Sequence, residues 1–191
     1  MQAPDQSEIV DCADAAQWEA WLARHHAQSS GVWLRIAKQG VGPASVTYTE
    51  ALDSALCYGW IDGQRKRYDQ THYLQRYCPR RAKSAWSQRN VERVAALIAA
   101  GRMQPAGLRE IAAAQADGRW AVAYAPQSTV STPPDLVAAL AQNERAQQTF
   151  DRLNKSARYV VMLPILNATT AASRAARVQA AITRLAPGDQ D

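Results

Sequence analysis

Phenylalanine, cysteine and histidine are scarce in this chain of 191 residues, which contains one, three and three of them. The cysteines at positions 12, 57 and 78 are odd in number and form no Cys-x-x-Cys pair. A disulfide framework is therefore not expected, and a reducing compartment is the default. The histidines at positions 25, 26 and 72 lack the spacing of a metal site. We predict neither a metal ion nor a cofactor.

Long apolar runs and phosphate-binding glycine motifs are also missing. No stretch approaches the roughly 18 apolar residues that cross a bilayer, and the first residues show neither the basic nor the apolar part of a signal peptide. G-x-G-x-x-G and G-x-x-x-x-G-K-[ST] do not occur, which argues against dinucleotide and P-loop chemistry. These absences predict a cytoplasmic protein with no membrane span, and they favour a protein that is not an enzyme.

Positive charge is concentrated in one segment of the chain. The segment 62–93 contains nine Lys and Arg residues and three acidic residues, a net charge of +6, whereas the whole chain carries +5. Local positive charge of this kind attracts phosphates, carboxylates or anionic surfaces. The basic segment is therefore where we look for a binding site.

Alternation and helical spacing predict an α+β fold. A half-buried strand is expected at 32–37, and a hairpin is expected from 60–68 and 72–78, joined by residues 69–71. Helices are expected after Asp14, after Thr47 or Thr49, from Ala85 or Trp86 to Ala100, and after Pro105. The chain then becomes rich in alanine and helical. We predict a small antiparallel sheet with packed helices, followed by an all-helical C-terminal part.

The Pro-, Ser- and Thr-containing stretch "YAPQSTVSTPP" indicates a boundary between two parts. We predict an α+β domain over residues 1–126, a linker over 127–134, and a small helical unit over 135–191.

Several blocks of sequence resemble the YdeI/OmpD-associated family of bacterial proteins, also named bacteriocin-protection proteins. The resemblance lies in "SSGVWLRIAKQG", "ALCYGWIDGQ", "PRRAKSAWSQRN", "LIAAGRMQPAGL" and "ADGRWAVAYAPQST", and it takes in nearly the whole chain. In "TTAASRAARVQAAI", Arg174 and Arg177 match the family, but Ser173 stands where the family has threonine. Ala171 and Ala172 replace its proline and acidic residue.

The resemblance implies a physiological setting rather than a reaction. It implies an accessory protein connected with tolerance of bacteriocins or cationic antimicrobial peptides, and the family name alone suggests a porin as protein partner.

The first candidate site lies on the hairpin. Strict alternation places Trp60, Asp62, Gln64 and Lys66 on one face of the first strand, and Ile61, Gly63, Arg65 and Arg67 on the other. If the strands pair across residues 69–71, Asp62 approaches Arg76. Two interpretations stay open: a structural ion pair, or a ligand pocket lined by Trp60, Asp62, Gln64 and Arg76. Gly63 indicates a bulge or a close backbone approach.

The second candidate site is the start of the following helix. Arg80 and Arg81 precede Ser84, which is a plausible N-cap, and Trp86, Ser87 and Asn90 follow. Guanidinium groups beside a helix N-terminus form a suitable anion site, although a solvated basic turn is the alternative. We predict that a small anionic ligand or a protein partner binds here and on the hairpin.

Two other functions remain as alternatives. Asp62 could act as a general acid or base of an enzyme using the same pocket, because a carboxylate beside Trp60 could have a shifted pKa. Basic residues interleaved with aromatic rings could instead bind single-stranded nucleic acid, although no recognised nucleic-acid-binding pattern accompanies them. We assign no catalytic residue from the sequence.

Overall fold

The computed structural model of the protein describes residues 8–41, 44–125 and 129–186. The chain divides into two compact units. The first comprises Met1–Ser84 with Arg93–Ala113, and the second comprises Ala85–Glu92 with Ala114–Asp191. The predicted domains 1–126 and 135–191 and the linker 127–134 stay a prediction, and residues 126–128 lie outside the described part of the chain.

The first unit is a sheet with two helices inserted between its strands. In chain order the elements are β1 (Ile9–Asp11), α1 (Ala15–His25), β2 (Val32–Ala37), α2 (Tyr48–Cys57), β3 (Trp60–Arg67) and β4 (His72–Pro79). Both helices begin at capping side chains that the sequence predicts. Asp14 accepts from the backbone N–H of Gln17 at 2.9 Å, and Thr47 forms a capping box with Glu50.

The sheet has the strand order β1-β2-β4-β3 and is mixed. The predicted hairpin of β3 and β4 is antiparallel, as is the pairing of β2 with β4. The expectation of a wholly antiparallel sheet is wrong at one edge, because β1 pairs with β2 in parallel. The connection from β1 to β2 passes through α1, and such a crossover brings the second strand back in the same direction. The predicted α+β class is confirmed.

The two faces of the sheet follow from its register. One face carries Val10, Leu34, Tyr77 and Trp60, and α1 and α2 pack on it. The Trp18 ring of α1 lies 5.5 Å from the Tyr77 ring, and all five side chains are at most 9% exposed. The hydrophobic core of the first unit therefore lies between this face and the two helices.

The predicted helix from Ala85 or Trp86 to Ala100 begins later than expected, as α3 (Gln88–Ala99). Where the helix is expected to begin, Ser87 instead forms an isolated parallel β-bridge with Tyr124. The carbonyl of Trp86 accepts from Tyr124 N–H at 2.9 Å, and the N–H of Gln88 donates to Tyr124 O at 3.0 Å. Backbone groups paired in this way are unavailable to a helix.

The end of α3 and the start of α4 (Pro105–Ala116) agree with the sequence. Gly101 has φ +66° directly after the last turn of α3. The N–H of Arg102 reaches back to Leu97 O at 3.0 Å, which is the bond of a glycine-terminated helix. Pro105 occupies the first position of α4, where its missing N–H costs no hydrogen bond.

The second unit contains α5 (Pro134–Ala141), α6 (Glu144–Arg152), α7 (Lys155–Leu166) and α8 (Ala171–Leu185). The side chains of Asn143, Asn154 and Thr170 cap α6, α7 and α8. No described helix is both long and apolar enough to span a bilayer. The apolar sides of these helices form one core, whose largest members include Leu136, Leu140, Phe150, Met162, Ile165, Ile182 and Leu185.

Arg174 and Arg177, the residues of the C-terminal family motif, hold three of these helices together. Arg174 donates from Nε and Nη2 to both carboxylate oxygens of Asp135, at 2.6 and 2.9 Å. Its Nη1 reaches Ile165 O at 3.5 Å, and Arg177 Nη1 donates to Pro164 O at 2.6 Å. Both carbonyls belong to the last turn of α7. The two arginines therefore stabilise the packing of α5, α7 and α8 in this chain.

Candidate functional site

Trp60, predicted as a wall of the hairpin pocket, lies in the core. It is 1% exposed, and its Nε1 donates to His26 O at 3.1 Å. The Trp21 ring meets it edge-on at 5.9 Å between centroids. A ring enclosed and hydrogen-bonded in this way stabilises the packing of α1 on the sheet.

Asp62 and Arg76, predicted to approach one another, belong to opposite faces of the sheet. Asp62 lies opposite Tyr77 in the register, and Arg76 is the next residue along β4. Adjacent residues of a strand point to opposite faces. Asp62 accepts a hydrogen bond from the Tyr48 hydroxyl of α2 at 2.8 Å, whereas the Arg76 guanidinium lies 5.8 Å from the centroid of the Trp33 ring.

The cause of this arrangement is a β-bulge at Gly63, as the sequence indicates. The register changes between Asp62, which pairs with Tyr77, and Arg65, which pairs with Gln75. Two residues of β3 therefore oppose one residue of β4. The buried amide of Gln75 donates to the carbonyls of Gly63 and Gln64, at 3.0 and 3.2 Å, and Gln64 itself is exposed.

The bulge also reverses the alternation of every later residue of β3. Strict alternation places Arg65 on the face opposite Asp62. The observed register instead places Arg65 with Gln75 and Tyr73, on the Asp62 face, and it moves Lys66 to the other face. Lys66 Nζ there lies 3.9 Å from the centroid of the Trp33 ring.

Arg80, Arg81 and Ser84 belong to the first unit and form a turn. Arg80 is 7% exposed, and its backbone N–H donates to Gly59 O at 3.0 Å. Ser84 Oγ accepts from the N–H of exposed Arg81 at 3.0 Å. Ser84 therefore caps this turn, and not α3 as predicted.

Trp86, Ser87 and Asn90 belong to the second unit. Trp86 is 2% exposed and lies 4.9 Å from the Trp120 ring. Ser87 Oγ accepts from the N–H of Asn90 at 3.2 Å and so has the capping role at the start of α3 that we predicted for Ser84.

An open cleft of about 680 Å³ lies elsewhere on the first unit. The end of β2 and the start of β4 contribute Ile36 and Tyr73 to its lining, and the start of α2 contributes Thr47 and Tyr48. Arg65 of β3 also lines the cleft. The further lining residues are Ala37, Lys38, Gln39, Gly40, Val41, Ala44, Ser45, Val46 and Thr49.

Arg65 is held flat on an aromatic ring at the cleft. Its guanidinium carbon lies 3.5 Å from the centroid of the Tyr73 ring, a cation–π contact that fixes the plane of the group. Lys38 adds a second positive charge and donates from Nζ to the carbonyls of Asp69 and Gln70, at 2.9 and 3.0 Å. The described cations of the cleft thus come from β3 and from the residue after β2.

Tyr48 connects the cleft to a buried polar network. Burial first, and then the hydrogen bond to Asp62, raise the pKa of the Tyr48 phenol well above its ordinary value. Behind it, the Tyr77 hydroxyl donates to the Tyr48 carbonyl at 3.5 Å, and burial raises the Tyr77 pKa as well. Both phenols therefore stay neutral at physiological pH.

Metal and thiol chemistry receive no support from this geometry. In the described ranges no group of three or more His, Cys, Asp or Glu side chains is placed to hold a metal ion. Burial raises the pKa of both Cys12 and Cys57 to about 11, so these two thiols are poor nucleophiles at neutral pH.

Sequence reasoning missed Tyr48, Arg65 and Tyr73 as the members of one site. The basic and aromatic alternation of the hairpin does contain Arg65 and Tyr73, but strict period two places Arg65 on the face opposite Asp62, the partner of Tyr48. The bulge brings Arg65 to the Asp62 face, and the signal that could have revealed it is Gly63 within a strand pattern.

Two family models match the chain. One, described as Domain of unknown function (DUF8412), matches residues 10–110, which include the sheet and the cleft. The other, described as Bacteriocin-protection, YdeI or OmpD-Associated, matches residues 129–188. No curated protein and no solved structure matches the chain. The chain therefore belongs to the DUF8412 family of domains of unknown function, and its helical C-terminal part carries a YdeI/OmpD-associated region, where the predicted resemblance is confirmed.

Proposed function

We propose that this protein binds a small molecule with a carboxylate or phosphate group in the cleft between β4 and the start of α2. The observation that carries the proposal is the Arg65 guanidinium stacked on Tyr73 at the side of the cleft. A planar guanidinium recognises both oxygens of a carboxylate or phosphate, and a group already held in place loses little conformational entropy on binding.

The size and lining of the cleft support a small-molecule ligand. Its volume of about 680 Å³ lies in the usual range of ligand pockets, roughly 300–1,000 Å³. Ile36 and Val46, which are at most 2% exposed, give the lining of the cleft an apolar character. A ligand with an apolar body and one anionic end fits such a lining.

The cellular role that we propose is that of a cytoplasmic accessory protein. The family model that matches residues 129–188 is described by bacteriocin protection and by association with OmpD. On that basis the bound ligand or a protein partner would connect this chain with tolerance of bacteriocins or cationic antimicrobial peptides. A porin partner rests on that description alone.

The test is a thermal shift measurement on the full chain with phosphate, acetate, benzoate, citrate and adenosine monophosphate at millimolar concentration. Binding to the folded protein raises its melting temperature. Loss of a charge-assisted contact weakens binding by about tenfold or more, and we expect this loss for Arg65→Ala. Lys66→Ala is the matched control, because it removes one positive charge from the next residue on the opposite face.

Two results would contradict the proposal: no response to any of the anions, or equal affinity in the wild type and Arg65→Ala. The double variant Arg80→Ala with Arg81→Ala examines the site predicted from the sequence. If that variant loses binding while Arg65→Ala keeps it, the anion binds at the turn before α3 and not in the cleft.

The two alternative functions receive less support from the geometry. The aromatic rings proposed for stacking on nucleic acid are mostly enclosed, since Trp60, Tyr73, Tyr77 and Trp86 are each at most 7% exposed. A general acid–base role for Asp62 stays a prediction. The hydrogen bond from Tyr48 gives that carboxylate a structural partner already.

A further inference from the structure

Two hydroxyl groups at the start of α2 use their O–H in hydrogen bonds to carboxylates of the protein. The Tyr48 hydroxyl lies 2.8 Å from a carboxylate oxygen of Asp62, and an ionised carboxylate can only accept. Thr47 Oγ1 donates to Glu50 Oε2 at 2.7 Å. Each hydroxyl has one proton, so both present only acceptor lone pairs to a ligand.

A third hydroxyl follows the same pattern. Ser45 Oγ accepts from the N–H of Ala37 at 2.8 Å and donates to the carbonyl of Val46 at 3.2 Å. Two further hydroxyls line the cleft, those of Thr49 and Tyr73. Three of the five lining hydroxyls therefore offer only acceptor lone pairs, and two of these donate to a carboxylate.

Two other lining residues of the cleft offer side-chain donors and positive charge. Arg65 and Lys38 cannot accept a hydrogen bond in their charged forms, and both line the cleft. The cleft thus combines cationic groups at Arg65 and Lys38 with acceptor oxygens at Tyr48 and Thr47, which Asp62 and Glu50 make electronegative. A purely anionic ligand satisfies only the first of these two sets of groups.

We infer that the ligand is zwitterionic: an amino-carboxylic acid, or a compound with the same pair of groups, whose carboxylate meets Arg65 and whose ammonium group meets the Tyr48 oxygen. This inference rests on the proposed function, since it needs the anion site at Arg65. It adds that a second, positively charged end of the ligand is recognised by the hydroxyl groups at the start of α2.

The experiment compares matched ligands by calorimetry on the full chain. The series runs from α-amino acids with apolar side chains through β-alanine and 4-aminobutyrate to 6-aminohexanoate. Each is paired with the carboxylate that lacks the amine and the amine that lacks the carboxylate. We expect at least one amino acid to bind about tenfold or more tightly than either of its halves, the effect of one charge-assisted hydrogen bond.

Tyr48→Phe separates recognition of the two ends. The variant removes the hydroxyl and keeps the ring, together with the backbone carbonyl to which Tyr77 donates. We expect it to bind the carboxylate-only ligand as the wild type does and to lose the tenfold preference for the amino acid. If Tyr48 had a merely structural role, Tyr48→Phe would lower the affinity for both ligands equally. Arg65→Ala is expected to weaken both ligands, because each contains the carboxylate.

The outcomes distinguish this inference from the proposed function. If the amino acids and the matched carboxylates bind equally, and Arg65→Ala weakens both, the zwitterion inference is wrong while the anion site stands. If the preference survives Tyr48→Phe, the ammonium group binds elsewhere, and the inference is wrong. If no amino acid binds, it is also wrong, and the anion panel alone then decides the proposed function.

Discussion

Substitution of Gly107 by alanine provides the sharpest test of the packing of α4 against α2. Gly107 lies in the first half of α4, where this helix approaches the last turn of α2. A β-carbon at this position would overlap the carbonyl oxygen of Cys57 and lie 2.8 Å from that of Leu56 and 2.7 Å from Met103 Cε. Real β-carbons essentially never approach other atoms so closely.

Two effects of opposite sign decide the outcome of Gly107→Ala. Alanine favours a helix interior over glycine by roughly 1 kcal/mol. Overpacking costs roughly 1–3 kcal/mol and occasionally more. Two of the three obstructing atoms are backbone oxygens, which cannot rotate aside, and one of them accepts from Gln104 N–H at 3.1 Å. We therefore take the upper end of that cost and expect a net loss of about 2 kcal/mol.

Thermal and urea unfolding of the full chain measure this loss. For a chain of this length about 2 kcal/mol lowers the melting temperature by about 4–8 °C. Gly101→Ala is the control, because no atom lies within 4 Å of its added β-carbon. Its loss of roughly 1–2 kcal/mol comes from the left-handed backbone alone, so a larger-to-smaller replacement that restores space, Met103→Ala in the Gly107→Ala background, should recover stability only for Gly107→Ala. A Gly107→Ala protein as stable as the wild type would refute the close approach of α4 to α2.

Three further measurements test other parts of the structure. Arg174→Ala should destabilise the second unit by about 0.5–1 kcal/mol in urea, because it removes the bidentate partner of Asp135 from a pair that is more than a third exposed to solvent; unchanged stability would show that the pair contributes nothing. Cys12 and Cys57 should not react with a thiol reagent at pH 8, since burial raises both pKa values to about 11, and labelling of all three cysteines in the folded chain would contradict their burial. Although desolvation raises it, hydrogen bonds from Thr71 and His72 lower the pKa of Asp69 to about 2. Its stabilising contribution is therefore complete above the unfolded value of about 3.9 and lost as the pH falls towards 2; Asp69→Asn should remove this part of the acid dependence, and an Asp69 carboxyl that titrates near 4 by NMR would contradict it.

The parts of the fold that the sequence predicts correctly are those set by nearby residues. The caps at Asp14 and Thr47 and the glycine end of α3 at Gly101 each depend on contacts within a few positions. The late start of α3 depends instead on Tyr124, which pairs with the residues before the helix from more than 30 positions away. Local propensity contains no information on such a partner, and the prediction therefore began the helix too early.

The candidate site was harder to predict because it depends on which part of a sheet face the helices leave uncovered. The helices α1 and α2 cover the region around Tyr77 and Leu34. The cleft occupies the adjoining region around Ile36 and Tyr73. No pattern within a single strand distinguishes these two regions, since both show the same alternation. Trp60, prominent in the sequence because it is aromatic, was needed for the core.

The bulge at Gly63 has a consequence for the whole basic hairpin. Without it, the three successive cations of β3 would present their middle member, Lys66, to the face that carries Asp62. One additional residue in β3 exchanges these positions and directs Arg65 to that face instead. A lysine in that place would be a point charge, whereas Arg65 lies flat on Tyr73 and offers a planar pair of donors. The chemistry that we propose for the cleft therefore depends on the β-bulge at Gly63. The buried Gln75 amide stabilises this bulge, because it donates to both of its carbonyls.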